Sequence, residues 1–232
     1  MRLNKYLAKA GIASRREADN LIRMATTTVN GEIVLNPAYD VKQDDEIRYD
    51  STVINPASES VVVMFNKPKG VISSMKDTHG RKTVLDYISS KYRLVPVGRL
   101  DKNSTGLLLL TNDGDLHYYL THPKNQICRD YEVMIESRLS SQQVKMMAQG
   151  LSIGRGEYGK ADVLSQRTKK GRTVAVLRLR QGKNREIRRI FKRLKIRLFS
   201  LHRFRFATLD LGRLKEGEYR ALLHHETQQI RQ

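Results

Sequence analysis

The sequence is short of cysteine, of acidic residues and of long apolar runs, and each shortage excludes a class of protein. One cysteine, Cys128, excludes an intramolecular disulfide framework and leaves no second thiol for a redox pair. No stretch approaches the roughly 20 apolar residues of a membrane span. Met1 to Ala10 is amphipathic and lacks the long apolar core of a signal peptide. We therefore expect a cytoplasmic protein with no membrane partner.

The charge balance indicates the partner. The chain of 232 residues has 43 Lys and Arg against 24 Asp and Glu, a formal net charge of +19. Such a charge favours binding to a polyanion, and nucleic acid is the first candidate. Aromatic residues make up only 6% of the chain, which favours recognition of RNA shape and backbone over base stacking on single strands.

The first residues predict two short helices. Leu3 and Leu7 recur at helical spacing, and Gly11 is placed to end the first helix. Ser14 and Glu17 have the spacing of a capping box, which predicts a second helix from about residue 14 to 23.

Short strands are predicted next. The pair Asn30-Gly31 favours a tight hairpin, and residues 45–49 alternate as in a strand. The polar run 50–60, which holds Pro56, is typical of a linker. We predict a small helix-rich domain at 1–55, a linker at 56–60 and a second domain at 61–232.

The second domain is predicted to be α+β, with a mostly antiparallel mixed sheet and flanking helices. Strand-like apolar runs occupy residues 61–65, 94–97, 107–110 and 173–179. Helical patterns occupy residues 84–89, 115–120, 140–148 and 184–194. Strands and helices do not alternate regularly, which argues against a parallel α/β sheet.

The positive charge is concentrated between residues 178 and 205, where twelve Lys or Arg stand against one acid, Glu186. A solvated helix face would explain a single basic helix equally well. Here, however, apolar residues such as Phe191 and Leu201 interleave with the cations and indicate a packed surface, which can follow a phosphate backbone. With the basic first helices, two RNA-binding surfaces are predicted from Arg2, Lys5, Arg15, Arg16, Lys183, Arg185, Arg189 and Lys192.

The segment 98–114 places a lone carboxylate, Asp101, in a loop between two apolar strands. Read by itself, Asp101 could be a turn residue that pairs with Arg99, because turns recruit aspartate for local hydrogen bonds. A catalytic interpretation needs more than the composition of this loop.

That segment resembles the catalytic motif of the RsuA-type pseudouridine synthases, which act on ribosomal RNA. Three further stretches resemble motifs of the same family in the same order: Phe65 to Val71, Arg129 to Val133 and Gly182 to Arg189. The resemblance covers residues 61 to about 225. Arg129 stands where the family has a lysine, which keeps the charge but not the geometry.

The resemblance implies that Asp101 is the catalytic carboxylate, kept ionised by Arg188, and that Tyr131 lies against the uracil. It also implies that no cofactor is consumed. Tyr131 could otherwise be an ordinary strand tyrosine that packs on a neighbour. His117 and His122 are five residues apart, the wrong spacing for a shared helical face, so we expect no metal.

Three further residues are expected around the substrate pocket. Arg99 lies two residues from Asp101 and on the same face if the chain is extended. Ile187 is expected to line the pocket, although it could simply be the core face of the basic helix. Lys67 is expected to contact a phosphate or the structure near the site, with an ordinary surface lysine as the alternative.

The first 50 residues resemble the RNA-binding module named after the S-four ribosomal protein. Residues 25–27 depart from that module, which usually has a glycine and a basic residue there. The combined resemblance implies a monomer that isomerises a uridine of ribosomal RNA, with the large subunit favoured, within an assembling ribosomal subunit. The alternatives are an enzyme for transfer RNA and a non-catalytic ribosome-assembly factor.

Overall fold

The computed structural model describes residues 1–169 and 171–231, which form two compact units. The first unit contains Met1–Val61 together with Ser90–Leu94 and Asn112–Gly114, and the second contains the rest of the described residues. No helix among the described residues is long and apolar enough to cross a membrane.

The first unit begins with the two predicted helices, α1 (Leu3–Lys9) and α2 (Arg15–Arg23). Gly11 follows α1 with a φ of +84°, a conformation that suits glycine. The Ser14 hydroxyl accepts the backbone N–H of Glu17 at 3.2 Å and so caps α2. Both helices and the first hairpin were predicted correctly.

Four antiparallel strands complete the first unit in the order β2-β1-β3-β4. Their bounds are β1 (Thr27–Val29), β2 (Glu32–Ile33), β3 (Ile47–Tyr49) and β4 (Thr52–Val53). Asn30 and Gly31 turn the first hairpin with φ values of +52° and +86°. The first residues of the polar run 50–60 do not form a linker. Asp50 and Ser51 form the turn of a second hairpin, which leads into β4, with φ values of +44° and +65°.

The second unit is built on a nine-stranded sheet, which confirms the α+β class. The strand order is β11-β12-β8-β13-β7-β5-β15, with β14 beside β13 and β6 beside β7. The strands are β5 (Val62–Lys67), β6 (Val95–Pro96), β7 (Thr105–Thr111), β8 (Arg129–Ile135), β11 (Asp162–Lys169), β12 (Arg172–Leu179), β13 (Leu198–Phe206), β14 (Leu209–Asp210) and β15 (Tyr219–Ala221).

Helices and one small hairpin flank this sheet. The helices are α3 (Gly114–Thr121), α4 (Ser141–Gln149), α5 (Glu186–Arg193) and α6 (His224–Gln229), and the hairpin pairs β9 (Leu151–Gly154) with β10 (Glu157–Gly159). The predicted helix at 84–89 is only a 3₁₀ turn, Val84–Tyr87. Strands β5 and β7 are buried on both faces, which explains their continuous apolar sequence.

One strand pair of the described sheet is parallel, β7 with β13, and Gly106 allows it. Gly106 has a φ of +104°, and a Cβ there would lie 2.2 Å from the carbonyl oxygen of Arg203. This close approach sets the position of β13 directly beyond the loop that carries Asp101.

Gly106→Ala is expected to lower the free energy of unfolding by about 3 kcal/mol or more, because the strained φ and the backbone overlap add up. Urea denaturation followed by circular dichroism measures the change. Gly114→Ala is the matched control, since a Cβ there meets nothing within 4 Å. Equal stability of the two variants would contradict the close approach.

Candidate active site

A cavity of about 410 Å³ opens on one face of the nine-stranded sheet. Its walls come from five places: the loop before β7, the end of α3 with the residues after it, strand β8, strand β13 and the segment that leads from β12 into α5. Asp101, Arg99, Tyr131, Ile187 and Arg188 all line it. The structure therefore brings these five expected residues to one site.

Two guanidinium groups hold the Asp101 carboxylate. Arg188 Nε donates to Asp101 Oδ2 at 3.1 Å, and Arg185 Nη1 donates to the same oxygen at 3.2 Å. The carboxylate is 30% exposed. Both contacts are charge-assisted hydrogen bonds. No hydrogen bond to Asp101 Oδ1 is made by the described residues, so this oxygen keeps its lone pairs for chemistry.

Arg188 also fixes the loop on which Asp101 stands. Its Nη2 donates to the carbonyl of Asn103 at 3.1 Å and to the hydroxyl of Ser104 at 3.0 Å. Within the loop, the Ser104 N–H donates to the Asp101 carbonyl at 2.9 Å. One side chain therefore orients both the carboxylate and its backbone.

Arg185 is a partner of Asp101 that the sequence did not single out, because it was expected to bind RNA. It precedes α5 with a φ of +51°, a strained conformation for a residue with a side chain. By contrast, Arg99, the alternative partner close in sequence, lines the cavity without an ion pair to Asp101 among the described contacts.

Glu186 shapes the segment that carries both arginines. Its carboxylate is 3% exposed and accepts the backbone N–H groups of Lys160 and Lys183, each at 3.1 Å. Burial raises the pKa of Glu186. Sequence reasoning missed this role, although a lone acid in a run of twelve cations was a visible signal.

Tyr131 and Ile187 give the cavity its apolar surface. Tyr131 lies on β8 opposite Arg203 of β13 and is 8% exposed. Ile187 lies in the first turn of α5 and is 4% exposed. A flat ring and an aliphatic side chain beside a carboxylate suit a planar base.

Lys67 makes the structural contact near the site that was one of its two expected roles, and it does not line the pocket. It is fully buried at the end of β5, and its Nζ donates to the carbonyls of Pro68, Val71 and Lys102 at 2.8, 2.7 and 3.5 Å. It is not part of the cavity lining. Its physical role is to hold the 68–71 turn against the residue that follows Asp101.

Burial lowers the pKa of Lys67 to about 8 from the ordinary value of 10.5. Between these two pH values the unfolded chain binds more protons than the folded protein, so the free energy of unfolding rises with pH. Lys67→Met is expected to remove this rise. Urea denaturation between pH 7 and 10, compared with wild type, measures the difference. Lys69→Met, an exposed neighbour, should keep it, and an unchanged slope in Lys67→Met would refute the assignment.

The expected RNA contacts divide into two groups. Arg15, Arg16, Arg185 and Lys192 are exposed, as is Arg2, while Lys5 is half-buried on α1. Two others are held internally. The guanidinium of Arg189 binds the carbonyls of Ile153 and Gly154 and the Glu157 carboxylate, and Lys183 Nζ binds the Tyr158 carbonyl. The structure thus assigns Arg189 to fixing the β9–β10 hairpin, a correction to its expected RNA contact.

Comparisons with known proteins identify the family of both domains. A family model described as RNA pseudouridylate synthase matches residues 61–193, and one described as S4 domain matches residues 1–47. A solved structure titled as a crystal structure of pseudouridylate synthase aligns with a TM-score of 0.70 and 28% identity, over 99% of each chain.

Two curated relatives have informative names. The ribosomal large subunit pseudouridine synthase B of Bacillus subtilis is 35% identical over 99% of this chain and 95% of its own length. The dual-specificity RNA pseudouridine synthase of Escherichia coli is 32% identical over 97% of this chain and 77% of its own length. The chain belongs to the RNA pseudouridylate synthase family, and the resemblance drawn from its motifs is confirmed.

Proposed function

We propose that this enzyme isomerises a specific uridine of ribosomal RNA to pseudouridine, with large-subunit RNA as the favoured substrate. The relative from Bacillus subtilis is named for the large ribosomal subunit and matches almost the whole chain. The observation that carries the proposal is the Asp101 carboxylate, which two guanidiniums hold by one oxygen inside a cavity of about 410 Å³.

Asp101 is the proposed nucleophile. Pseudouridine formation breaks the bond from ribose C1′ to uracil N1, turns the base and joins C1′ to C5, with no net oxidation. Oδ1 carries the reactive lone pair while Oδ2 stays bound to Arg185 and Arg188. Whether the carboxylate attacks ribose C1′ or the base, it must be ionised, which is what the two cations favour.

The target base has to leave the RNA stack before it can react. The cavity offers Tyr131 as a surface for one face of the flipped uracil, with Ile187 also in the lining. Exclusion of water from this apolar surface would strengthen the electrostatic interactions around Asp101.

The S4 domain and the α5 surface are the proposed docking sites on folded RNA. Binding should weaken steeply with salt, because each neutralised phosphate releases about one counterion. The double variant Arg15→Gln, Arg16→Gln is expected to reduce the slope of log Kd against log salt by about 1.5 to 2. Arg48→Gln, whose guanidinium is paired with Glu46, should leave the slope unchanged. An equal slope in all three proteins would exclude α2 as a phosphate contact.

The function is tested by mapping pseudouridine in ribosomal RNA from a strain that lacks this gene. Carbodiimide modification should show the loss of one site, restored by the wild-type gene and not by Asp101→Asn. If both the wild-type gene and the Asp101→Asn gene restore the site, Asp101 is not the catalytic carboxylate. Loss of a transfer RNA site instead would correct the substrate. No change in any RNA would favour a non-catalytic assembly factor.

We place the proposed pseudouridine synthase activity in the cytoplasm, with a monomer acting on the assembling subunit.

A further inference from the structure

Two arginines on neighbouring strands lie at the sheet side of the cavity, and we call them the cationic floor. Arg203 of β13 is 2% exposed, and Arg129 of β8 is half-buried. Both belong to the cavity lining. Neither is among the residues that hold Asp101.

Strand geometry directs the cationic floor toward the base. Arg203 is the cross-strand partner of Tyr131, and Arg129 lies two residues before Tyr131 on the same strand. Cross-strand partners and residues two apart share a face of a sheet. The side chains of Arg203 and Arg129 therefore lie on the cavity face, beside the ring that the flipped uracil would contact.

The charge of the cationic floor is not matched by the protein. Arg203 Nε donates to the Leu107 carbonyl at 2.7 Å, while its buried Nη2 has no hydrogen-bond partner among the described residues. Within the part of the chain that the structure describes, Arg129 donates to the carbonyls of Ile127 and Leu120 and to no other group. Across residues 1–169 and 171–231, no carboxylate forms an ion pair with either arginine.

The ring of Phe206 lies beside both guanidiniums. The Phe206 ring centroid is 5.1 Å from Arg129 Cζ and 5.0 Å from Arg203 Cζ. Burial and the positive charge of Arg203 lower the pKa of Arg129. Two desolvated cations and an unused buried donor are costly in a folded protein, so the arrangement favours an anionic ligand.

We propose that the cationic floor stabilises the negative charge that uracil acquires when it separates from the ribose. When the C1′–N1 bond breaks, its electron pair stays with N1 and spreads onto O2 and O4. Arg203 and Arg129 act on these oxygens through their positive charge at the cavity wall. Asp101 Oδ1 meanwhile holds C1′; C5 then bonds to C1′ and displaces Oδ1, and loss of the C5 proton and protonation of N1 return the base to neutrality. Attack of Asp101 on the base instead of on ribose C1′ would also place negative charge on the uracil oxygens. The inference therefore rests on the proposed function and holds for either point of attack.

The test compares leaving bases of different stability. A fragment of ribosomal RNA that spans the mapped site is prepared with uridine or 5-fluorouridine at the target, because fluorine at C5 stabilises the same anion by withdrawing electrons. Consumption of the target nucleotide is followed in a single turnover at saturating enzyme. Arg203→Met is expected to slow the uridine fragment by about 100-fold and the 5-fluorouridine fragment by about tenfold or less.

Controls separate this role from a structural one. Arg205→Met, on the same strand but paired with Asp210, should slow neither fragment selectively. Arg129→Met keeps the hydrogen bond from Arg203 to the Leu107 carbonyl. It should also slow the uridine fragment more than the 5-fluorouridine fragment, so it tests the proposal even if Arg203→Met does not fold. Equal losses with both bases, or no loss in a folded variant, would overturn the proposal. Failure of the wild type to convert the fragment would instead overturn the proposed function.

Discussion

Replacing Asp101 with asparagine is expected to lower the single-turnover rate at saturating RNA by about 10⁴-fold or more, since loss of a catalytic nucleophile commonly costs this much. The amide keeps the shape of the carboxylate but is a much weaker nucleophile. It also cannot attract Arg185 and Arg188 as an anion does. RNA affinity should change little if binding rests on phosphate contacts spread over the basic surfaces, as proposed above.

Asp210→Asn is the matched control for this measurement, because Asp210 is an exposed aspartate paired with Arg205 on the same sheet. It should retain wild-type turnover. If the Asp101→Asn enzyme converts uridine at a rate near that of the wild type, a group other than Asp101 must be the nucleophile.

Removing the Arg188 guanidinium is expected to have the second largest effect. Arg188→Met should slow turnover by about 10² to 10³-fold, because the same side chain orients Asp101 and holds its loop. Arg185→Met should cost about tenfold, since Arg185 makes a single bond to Asp101 and is 53% exposed. Single-turnover rates with saturating enzyme, and circular dichroism of each variant, measure the two losses.

Arg188→Lys refines the comparison. A lysine keeps the charge but cannot bind the carboxylate, the Asn103 carbonyl and the Ser104 hydroxyl in one plane. Its rate should fall between those of wild type and Arg188→Met. Equal rates for Arg185→Met and Arg188→Met would show that charge alone matters and that the loop contacts are irrelevant.

The sequence predicted those elements whose pattern is local. Strands β5 and β7 are buried on both faces and have continuous apolar runs, and Ser14 and Ser140 mark helix starts by capping. Strand β13 was missed because its apolar residues alternate with cations, so it was taken as part of a basic surface. The second hairpin at Asp50 and Ser51 was missed because polar residues there resemble a linker.

The active site was harder to predict from the sequence, because its contacts join distant parts of the chain. Asp101 meets Arg185 and Arg188 across separations of 84 and 87 residues, and no local pattern encodes such a pairing. From the loop alone, a turn contact with Arg99 was as reasonable, and the family motifs decided for Arg188. A structural contact was one of two roles expected for Lys67, but its complete burial was not expected, because lysine is almost always exposed. Its burial depends on three carbonyl acceptors, two of them in the next turn.

The strand order of the large sheet determines when the sheet can close while the chain is being synthesised. Strand β13 lies between β7 and β8 in space although it is made long after both. A nascent chain must therefore keep those two strands apart, with apolar edges exposed, until residue 206 has left the ribosome. Such late closure makes folding slow and favours aggregation of incomplete chains. The cavity walls from β13 are therefore in place only after both β7 and β8 have been made and β13 has inserted between them.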